Sequence, residues 1–372
     1  MNNRAIIIGD STNNTLSVVR SLGVVGIEQY LILKCDDDVC HVSKSKYLKK
    51  DNVFHITKIE DCMPVLWKIR ENSSDYLFTI ICSFDEAAVF IDHNEPLLSQ
   101  YFRTPARGRQ LGSLFDKDTQ CQLATECGLT VPRTEIFRRA NTIGAIKIEY
   151  PILLKPQNST RGEKSDIHIC RNRQEVENAL HEESHCDDFI LQEFVEKEYE
   201  LDCIGVRTEH ETYIPGAVRK IRHYPWLVGA GAYGIFMPIN ELDIDVSGVG
   251  AFLERAGYYG PFSVEFLHKD GKNYFMEVNF RNEGLAQVAT TAGANLHALY
   301  LNSDFIIDRK RVRKIYMMNY ALDFLYVKDG RVSLSTWFRD FVRTSCFINF
   351  NRHDVMPTVA HYVKKVKHLF GR

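Results

Sequence analysis

The sequence predicts an α/β (α+β) protein of more than one domain, and three observations predict it. First, residues 4–9 (RAIIIG) are a short apolar run ending in a turn. Leu16, Val19 and Leu22 then recur at helical spacing, and residues 30–33 (YLIL) are a second apolar run. Strand, helix, strand in that order implies a parallel pair joined by a right-handed crossover. Second, LFTIIC at 77–82 is another buried strand, followed by Ser83, Asp85 and an apolar helix. Third, residues 262–281 (FSVEFLHKDGKNYFMEVNFR) read as two strands around an Asp270–Gly271 turn, a strong hairpin signal. The length of 372 residues leaves room for two or three cores.

The elements between these follow in order. Gly26 stops the first helix, so roughly the first 100 residues form a small α/β layer domain. Residues 100–116, rich in Arg, Gly and Pro, are a connector, and a helix spans 116–127 with Gly128 as its stop. Strands are expected at 129–137 and 150–156, a polar helix at 174–185, strands within 188–206 around a Glu-rich turn, and several more strands within 213–281. The final stretch has no clear pattern until 357–370. There Val359, Tyr362, Val363, Val366 and Phe370 fall at helical spacing with Lys364, Lys365 and Lys367 between them. Such a helix is expected to pack its apolar stripe on its own domain. The alternative is contact with an anionic membrane surface.

Composition excludes several classes. Lys plus Arg number 46 and Asp plus Glu 48, a balance that argues against a dedicated nucleic-acid binder. No run approaches the ~18 consecutive apolar residues of a membrane span, and the N-terminus lacks the pattern of a signal peptide. The ten cysteines are scattered without a CxxC pair, which disfavours a zinc ribbon and fits reduced thiols in a cytoplasmic protein.

Chemistry concentrates in the hairpin. Glu277 and Asn279 are two residues apart and share one face of their strand. A strict two-residue loop pairs Glu265 with Met276 and sends Glu265 to the opposite face; a three-residue loop containing Gly271 brings it beside Glu277. Two carboxylates and an amide on one face suit a hard divalent cation such as magnesium, which takes oxygen ligands. An ordinary hairpin with one solvated Glu would have the same sequence.

The hairpin does not stand alone. Lys117 precedes the helix of FDKDTQCQLATECGLTVP (115–132), and Lys155 ends the apolar strand YPILLKP (150–156). NSTRG (158–162) is a loop of small residues, and FILQEFVEKEYELD (189–202) sets an apolar strand before a run of glutamates. This order, closed by Glu265 and Glu277-x-Asn279-x-Arg281, resembles the ATP-grasp superfamily of carboxylate–amine ligases over about 10–300. The resemblance implies an ATP-grasp fold behind an N-terminal Rossmann-like domain. Its divisions would be 1–105, then 106–305 with a small lid subdomain at about 130–195 and a larger metal-binding one at about 196–305, and an extension at 306–372.

The resemblance also implies roles. Lys117 and Lys155 would contact ATP phosphates, with Lys155 nearer the reacting end. Ser159, Thr160, Arg161 and Gly162 would form the lid loop. Gln192, Glu193, Phe194 and Val195 would line the adenine, with the backbone of Glu193 and Val195 reading its edge, and Glu198 would bind the ribose. Glu265, Glu277 and Asn279 would hold Mg2+, for which Mn2+ can substitute. Arg281 and Lys155 would serve the reaction itself, Arg281 facing the transferred phosphoryl or acyl phosphate. The implied activity joins a carboxylate to an amine through an acyl phosphate, on small-molecule substrates. A carboxylase-like enzyme and a nucleotide-binding regulatory protein without turnover are the alternatives. A homodimer is the expected assembly if the chain oligomerises. Two positions depart from the family pattern: the lid loop has one glycine, Gly162, and Phe280 stands where proline is frequent.

Other signals point elsewhere or nowhere. GAGAYG (229–234) matches a dinucleotide-binding turn, but IFMP after it is no helix start, so a flexible loop near the acceptor pocket fits better. Arg219, Lys220 and Arg222 just before it are candidates for a substrate carboxylate. His181 and His185 lack a third metal ligand. The GDSTNN loop (9–14) lies at a strand's carboxyl end, where ligands favour parallel sheets. Asp85 sits in the same way, or caps a helix with Ser83. RKRVRK (309–314) holds five basic residues in six.

Overall fold

The computed structural model describes residues 3–35, 40–72, 75–108, 111–140, 143, 146–156, 167–183, 186–226, 230–302 and 304–369. The chain divides into two compact units: Met1–Leu129 with Tyr199–Phe266 and Met276–Arg372, and Thr130–Glu198 with Leu267–Phe275.

The first unit opens with β1 (Asn3–Asp10), α1 (Asn13–Gly23), β2 (Gln29–Lys34), β3 (Val53–Ile56), α2 (Cys62–Glu71), β4 (Leu77–Cys82), α3 (Asp85–His93) and α4 (Glu95–Leu98). The strands form a parallel sheet in the order β3-β2-β1-β4. Its continuous apolar runs are explained by burial on both faces: Ala5 and Ile7 enter one core, Ile6 and Ile8 another. Thr12 caps α1 by accepting the Asn14 N–H. Two helices follow, α5 (Leu111–Leu114) and α6 (Lys117–Glu126), the second capped by Asp116, which accepts the Thr119 N–H at 2.8 Å.

The second unit holds β5 (Thr134–Arg138), β6 (Ile152–Pro156), β7 (His168–Cys170), α7 (Arg173–Glu182) and β8 (Asp188–Glu193). Its antiparallel sheet runs β5-β8-β6-β7, with Val176 and Leu180 of α7 packed into the core of Phe137, Leu154 and Phe189. His181 is exposed on α7; His185 lies outside the described residues.

The chain then forms β9 (Tyr199–Arg207), β10 (Thr212–Tyr224), β11 (Ala230–Pro238), α8 (Val246–Arg255), β12 (Pro261–Lys269), β13 (Lys272–Asn279), α9 (Ala286–Ala292) and α10 (Leu296–Leu301). Residues 306–369, where the sequence predicts only the last helix, give β14 (Ile315–Met318), α11 (Tyr320–Lys328), α12 (Leu334–Arg343), β15 (Cys346–Phe347) and α13 (Met356–Leu369). A seven-stranded sheet runs β13-β12-β9-β10-β11-β14-β15, so the extension completes it through β14 and β15. GAGAYG belongs to strand β11 from Ala230 onward, not to a loop. A side chain at Gly234 would meet the Arg219 carbonyl at 2.9 Å, so the glycine permits close strand approach.

Two expectations change. Asp270 and Gly271 have φ of 49° and 72°, a two-residue turn of the type that suits hairpin twist, not a three-residue loop. The face is recovered further along β13. The Phe275 N–H reaches the Thr130 carbonyl at 2.7 Å, and the Val278 N–H reaches Gln120 Oε1 at 2.6 Å. On an edge strand, groups pointing away from the sheet recur every second residue. An interval of three means that one extra residue is taken up between them, as in a bulge. Asn279 accordingly donates to Ser263 Oγ at 3.2 Å, and Glu277 and Glu265, two residues back on each strand, come onto one face.

The second change is α13. Of the stripe read from the sequence, Val359 and Val363 are 44% and 48% exposed, with Met356 beside them at 55%, whereas Tyr362 lines the neighbouring cavity and the side chains of Val366 and Phe370 lie outside the described residues. The opposite side, with Pro357, Thr358 and His361, lines a cavity of about 190 Å³ with Ser11, Thr12 and His41. Asp354 sets this orientation. It is buried and bonds Arg20 Nε at 3.0 Å, Ser45 Oγ at 2.9 Å and the Lys46 N–H at 2.9 Å, fixing the entry to the helix.

Candidate active site

Strand alternation on β9, β10, β12 and β13 builds an acidic cluster in the first unit. Asp202, Glu265 and Glu283 bring carboxylate oxygens within 4.8 Å of one another. The Lys220 ammonium lies 2.9 Å from Asp202 Oδ1, 3.0 Å from Glu200 Oε2 and 3.8 Å from Glu265 Oε2. Burial pushes the Asp202 carboxyl well up, and Lys220 only partly offsets it. Burial likewise raises Glu265, against Lys220 and reinforced by Glu283, Glu277 and Glu200. For Lys220 burial works downward, but Asp202, Glu265 and Glu200 outweigh it and hold the ammonium charged.

Glu277 pairs with Lys117 Nζ at 2.5 Å. The pair is set by Gln120, one turn further along α6, whose amide bonds both the N–H and the carbonyl of Val278, at 2.6 and 3.1 Å. Arg281 donates to Asn279 Oδ1 at 3.0 Å and to Asp85 Oδ1 at 2.7 Å. Asp85 therefore holds an arginine and is no helix cap, and Ser83 bonds Thr15 at 2.7 Å instead. The 9–14 loop is tied to the same segment: Asn282 donates to the Asn14 carbonyl at 2.6 Å, and Asn14 Oδ1 accepts the Gly284 N–H at 2.8 Å. Asn282 Oδ1 accepts in turn from His297 Nε2 at 2.7 Å. His297 is fully buried, and burial lowers its pKa to about 3, so the ring is neutral.

The three basic residues of β10 do not converge. Arg219 and Lys220 point to opposite faces, and Arg219 lies exposed over the Tyr199 ring at 4.1 Å. Arg222 is buried and bonds Asp323 at 2.7 and 2.8 Å and Asp340 at 2.8 Å, an internal clamp on α11 and α12 in place of a substrate contact.

In the second unit Lys155 is half-buried on β6 opposite Ile190 of β8. Gln192 is buried and donates to Thr134 Oγ1 at 3.2 Å. The Glu193 N–H donates to the Arg133 carbonyl at 2.8 Å, and the Phe194 N–H to that of Pro151 at 3.1 Å. Val195 is buried. Glu198 accepts the Asp270 N–H at 3.2 Å and stands 4.0 Å from His268 at the hairpin tip. Ser159, Thr160, Arg161 and Gly162 lie outside the described residues.

The same architecture occurs in solved enzymes. An N5-carboxyaminoimidazole synthetase from Staphylococcus aureus superposes with a TM-score of 0.63 at 13% identity, covering 89% of this chain and 88% of that one. An L-amino acid ligase from Bacillus licheniformis gives 0.59 at 16%, covering 85% and 79%. The chain has the ATP-grasp fold. The biotin carboxylase domain of a Hydrogenobacter thermophilus 2-oxoglutarate carboxylase, a dimer in complex with MgADP, ADP and bicarbonate, gives 0.59 at 16%, covering 83% and 73%. In sequence, the carbamoyl phosphate synthase large chain of Helicobacter pylori is 25% identical over 186 residues, 47% of this chain and 16% of that protein's length. No family model matches.

Within this fold the sequence reading missed Asp202, Glu283 and Gln120, while Asp85, singled out for its place after a buried strand, holds Arg281. Glu283 had a signal, since Glu277, Asn279, Arg281 and Glu283 recur every second residue. Asp202 and Gln120 had none, being brought in from distant elements.

Proposed function

We propose that the protein is an ATP- and Mg2+-dependent ligase that activates a carboxylate as an acyl phosphate and passes the acyl group to an amine. The observation that carries this reading is the shared face of Glu265, Glu277 and Asn279, with Lys117 on Glu277 and Arg281 on Asn279. The donor set fits the metal. All three are oxygen ligands, and the neighbouring Glu283 keeps a buried carboxylate oxygen without a hydrogen-bond partner among the described residues. Magnesium, when bound, would neutralise phosphate charge and align the transferred group.

The chain's own residues do the rest. Lys117 supplies positive charge to a phosphate oxygen while remaining near Glu277. Arg281, fixed by Asp85 on one side and Asn279 on the other, stabilises negative charge on the transferred phosphoryl without reorganising. Lys155 serves the phosphates from its strand end, with residues 159–162 as the lid. The Gln192–Val195 strand end receives the adenine and Glu198 the ribose. Phosphoryl transfer needs this positioning and charge neutralisation more than a strong base.

The test is ADP release from ATP across a panel of carboxylates and amines, with and without Mg2+ or Mn2+. Release that requires metal and one carboxylate–amine pair supports the reading. Release without metal, or ATP binding with no turnover on any pair, overturns it, the latter in favour of a regulatory nucleotide-binding protein. Bicarbonate belongs in the panel, because a bicarbonate-bound carboxylase domain shares the fold. Turnover with bicarbonate alone would assign the carboxylase-like reading.

A further inference from the structure

The C-terminal extension has a charge and surface unlike the rest of the chain. Residues 306–372 carry 14 Lys and Arg against five Asp and no Glu, in a chain with 46 basic and 48 acidic residues overall. Three of those five acids are buried on arginines: Asp323 and Asp340 on Arg222, Asp354 on Arg20. Asp308 pairs with Arg311 at 3.1 Å. Arg309 and Lys314 pair with Glu211 and Glu241 from outside the extension, and the other basic residues leave its outward charge positive, with Asp329 the remaining exposed acid.

On this surface α12 is turned partly inside out. Asp340 faces inward to Arg222, while Trp337 and Phe341 stack into a ring cluster with Phe324 and Phe347 at 4.8–5.2 Å. The apolar arc then continues around the helix into solvent. Leu334, Phe338 and Val342, each four residues apart, are 61%, 60% and 68% exposed. Arg339 and Arg343 border the stripe at 68% and 42% exposure, each also 3.7–3.8 Å from the inward Asp340. The exposed stripe of α13, with Lys364 and Lys365 on the same helix, repeats the pattern.

Free solvent gives no reason to expose three large apolar side chains in a row. A symmetric contact between two copies would set these basic faces against each other. A surface both apolar and anionic answers both features, since interfacial helices bury an apolar face and place Lys and Arg among lipid headgroups. We propose that α12 is a docking surface for an anionic lipid membrane, held by Leu334, Phe338 and Val342 in the acyl boundary and by the surrounding arginines and lysines at the phosphates.

The experiment is co-sedimentation of the full chain with phosphatidylcholine vesicles, with and without about one third phosphatidylglycerol. Binding to the anionic vesicles alone, falling as salt is raised, is expected. Phe338→Glu is expected to weaken it tenfold or more, and Arg339→Glu by roughly tenfold. Both positions are exposed, and unchanged circular dichroism melting checks that each variant folds. Equal binding to neutral vesicles, binding indifferent to Phe338→Glu, or no binding to either vesicle overturns the proposal. Self-association that Phe338→Glu abolishes, without vesicle binding, gives the stripe to a second copy instead. Metal-dependent ADP release is read separately, so the failure of either idea leaves the other standing.

Discussion

Two cations two residues apart on β10 live in opposite kinds of buried charge. Arg222 meets Asp323 and Asp340 through three hydrogen bonds of 2.7–2.8 Å. Lys220 faces Glu200, Asp202 and Glu265, with Glu283 close behind. The first group is closely matched in geometry. The second carries several carboxylates around one ammonium, and burial, which Lys220 offsets only in part, raises the pKa values of Asp202 and Glu265. A buried charge cluster that closes on itself positions chain segments; one that does not is suited to an added cation. The difference separates a clamp on α11 and α12 from a candidate cation site on a single strand.

The comparison breaks most sharply in activity. Glu277→Gln and Glu265→Gln are expected to reduce Mg2+-dependent ADP release by about 100-fold or more, the scale of losing a group that organises transition-state charge, with little change in the urea midpoint. A variant that keeps metal-dependent turnover would remove that residue from the metal set. The balanced cluster should respond the other way. Arg222→Met leaves two carboxylates buried without their partner and is expected to cost about 3–5 kcal/mol in urea unfolding. ADP release per folded molecule should be retained. Loss of turnover at full stability would show that Arg222 belongs to the chemistry after all.

The same contrast explains what the sequence made legible. β1, β4, α6 and the hairpin were readable because each is specified locally: by isoleucine runs, by Gly128 as a stop, by Asp270–Gly271. The candidate metal residues Glu265, Glu277 and Asn279 were readable as types. Their shared face was not, because it depends on an extra residue between Phe275 and Val278 that Gln120 and Thr130 stabilise from outside the strand. Asp202 and Asp85 arrive from strands and helices dozens of residues away. Arg222 looked like a ligand for a substrate because its aspartates lie more than a hundred residues further on. The orientation of α13 was misjudged for a similar reason: its periodicity shows which residues share a side, and only the buried Asp354–Arg20 pair decides which side faces in.

A smaller effect sharpens how β13 is held. Gln120→Met keeps the length of the side chain but removes both bonds to Val278. Leaving that backbone pair unsatisfied is expected to cost about 1–3 kcal/mol. Because Lys117 sits on the same helix, the KM for ATP should rise more than kcat falls. An unchanged KM with lowered stability would restrict Gln120 to the fold.

The mildest test uses pH. His297 is neutral in the folded chain, with its pKa lowered by burial to about 3 from an ordinary 6.5, and it donates to Asn282 beside the candidate site. Between those values the unfolded chain binds the extra proton. Its contribution to stability is complete above about pH 6.5 and is lost progressively as pH falls toward 3, by at most about 1.4 kcal/mol per pH unit. His297→Gln keeps a donor for Asn282 and removes the titration. Its urea midpoint should therefore fall less steeply than that of the natural chain between pH 6.5 and 4.5. Parallel pH profiles for the two proteins would mean that His297 takes up its proton without unfolding, and that the neutral buried ring is not what ties Asn282 to the first loop.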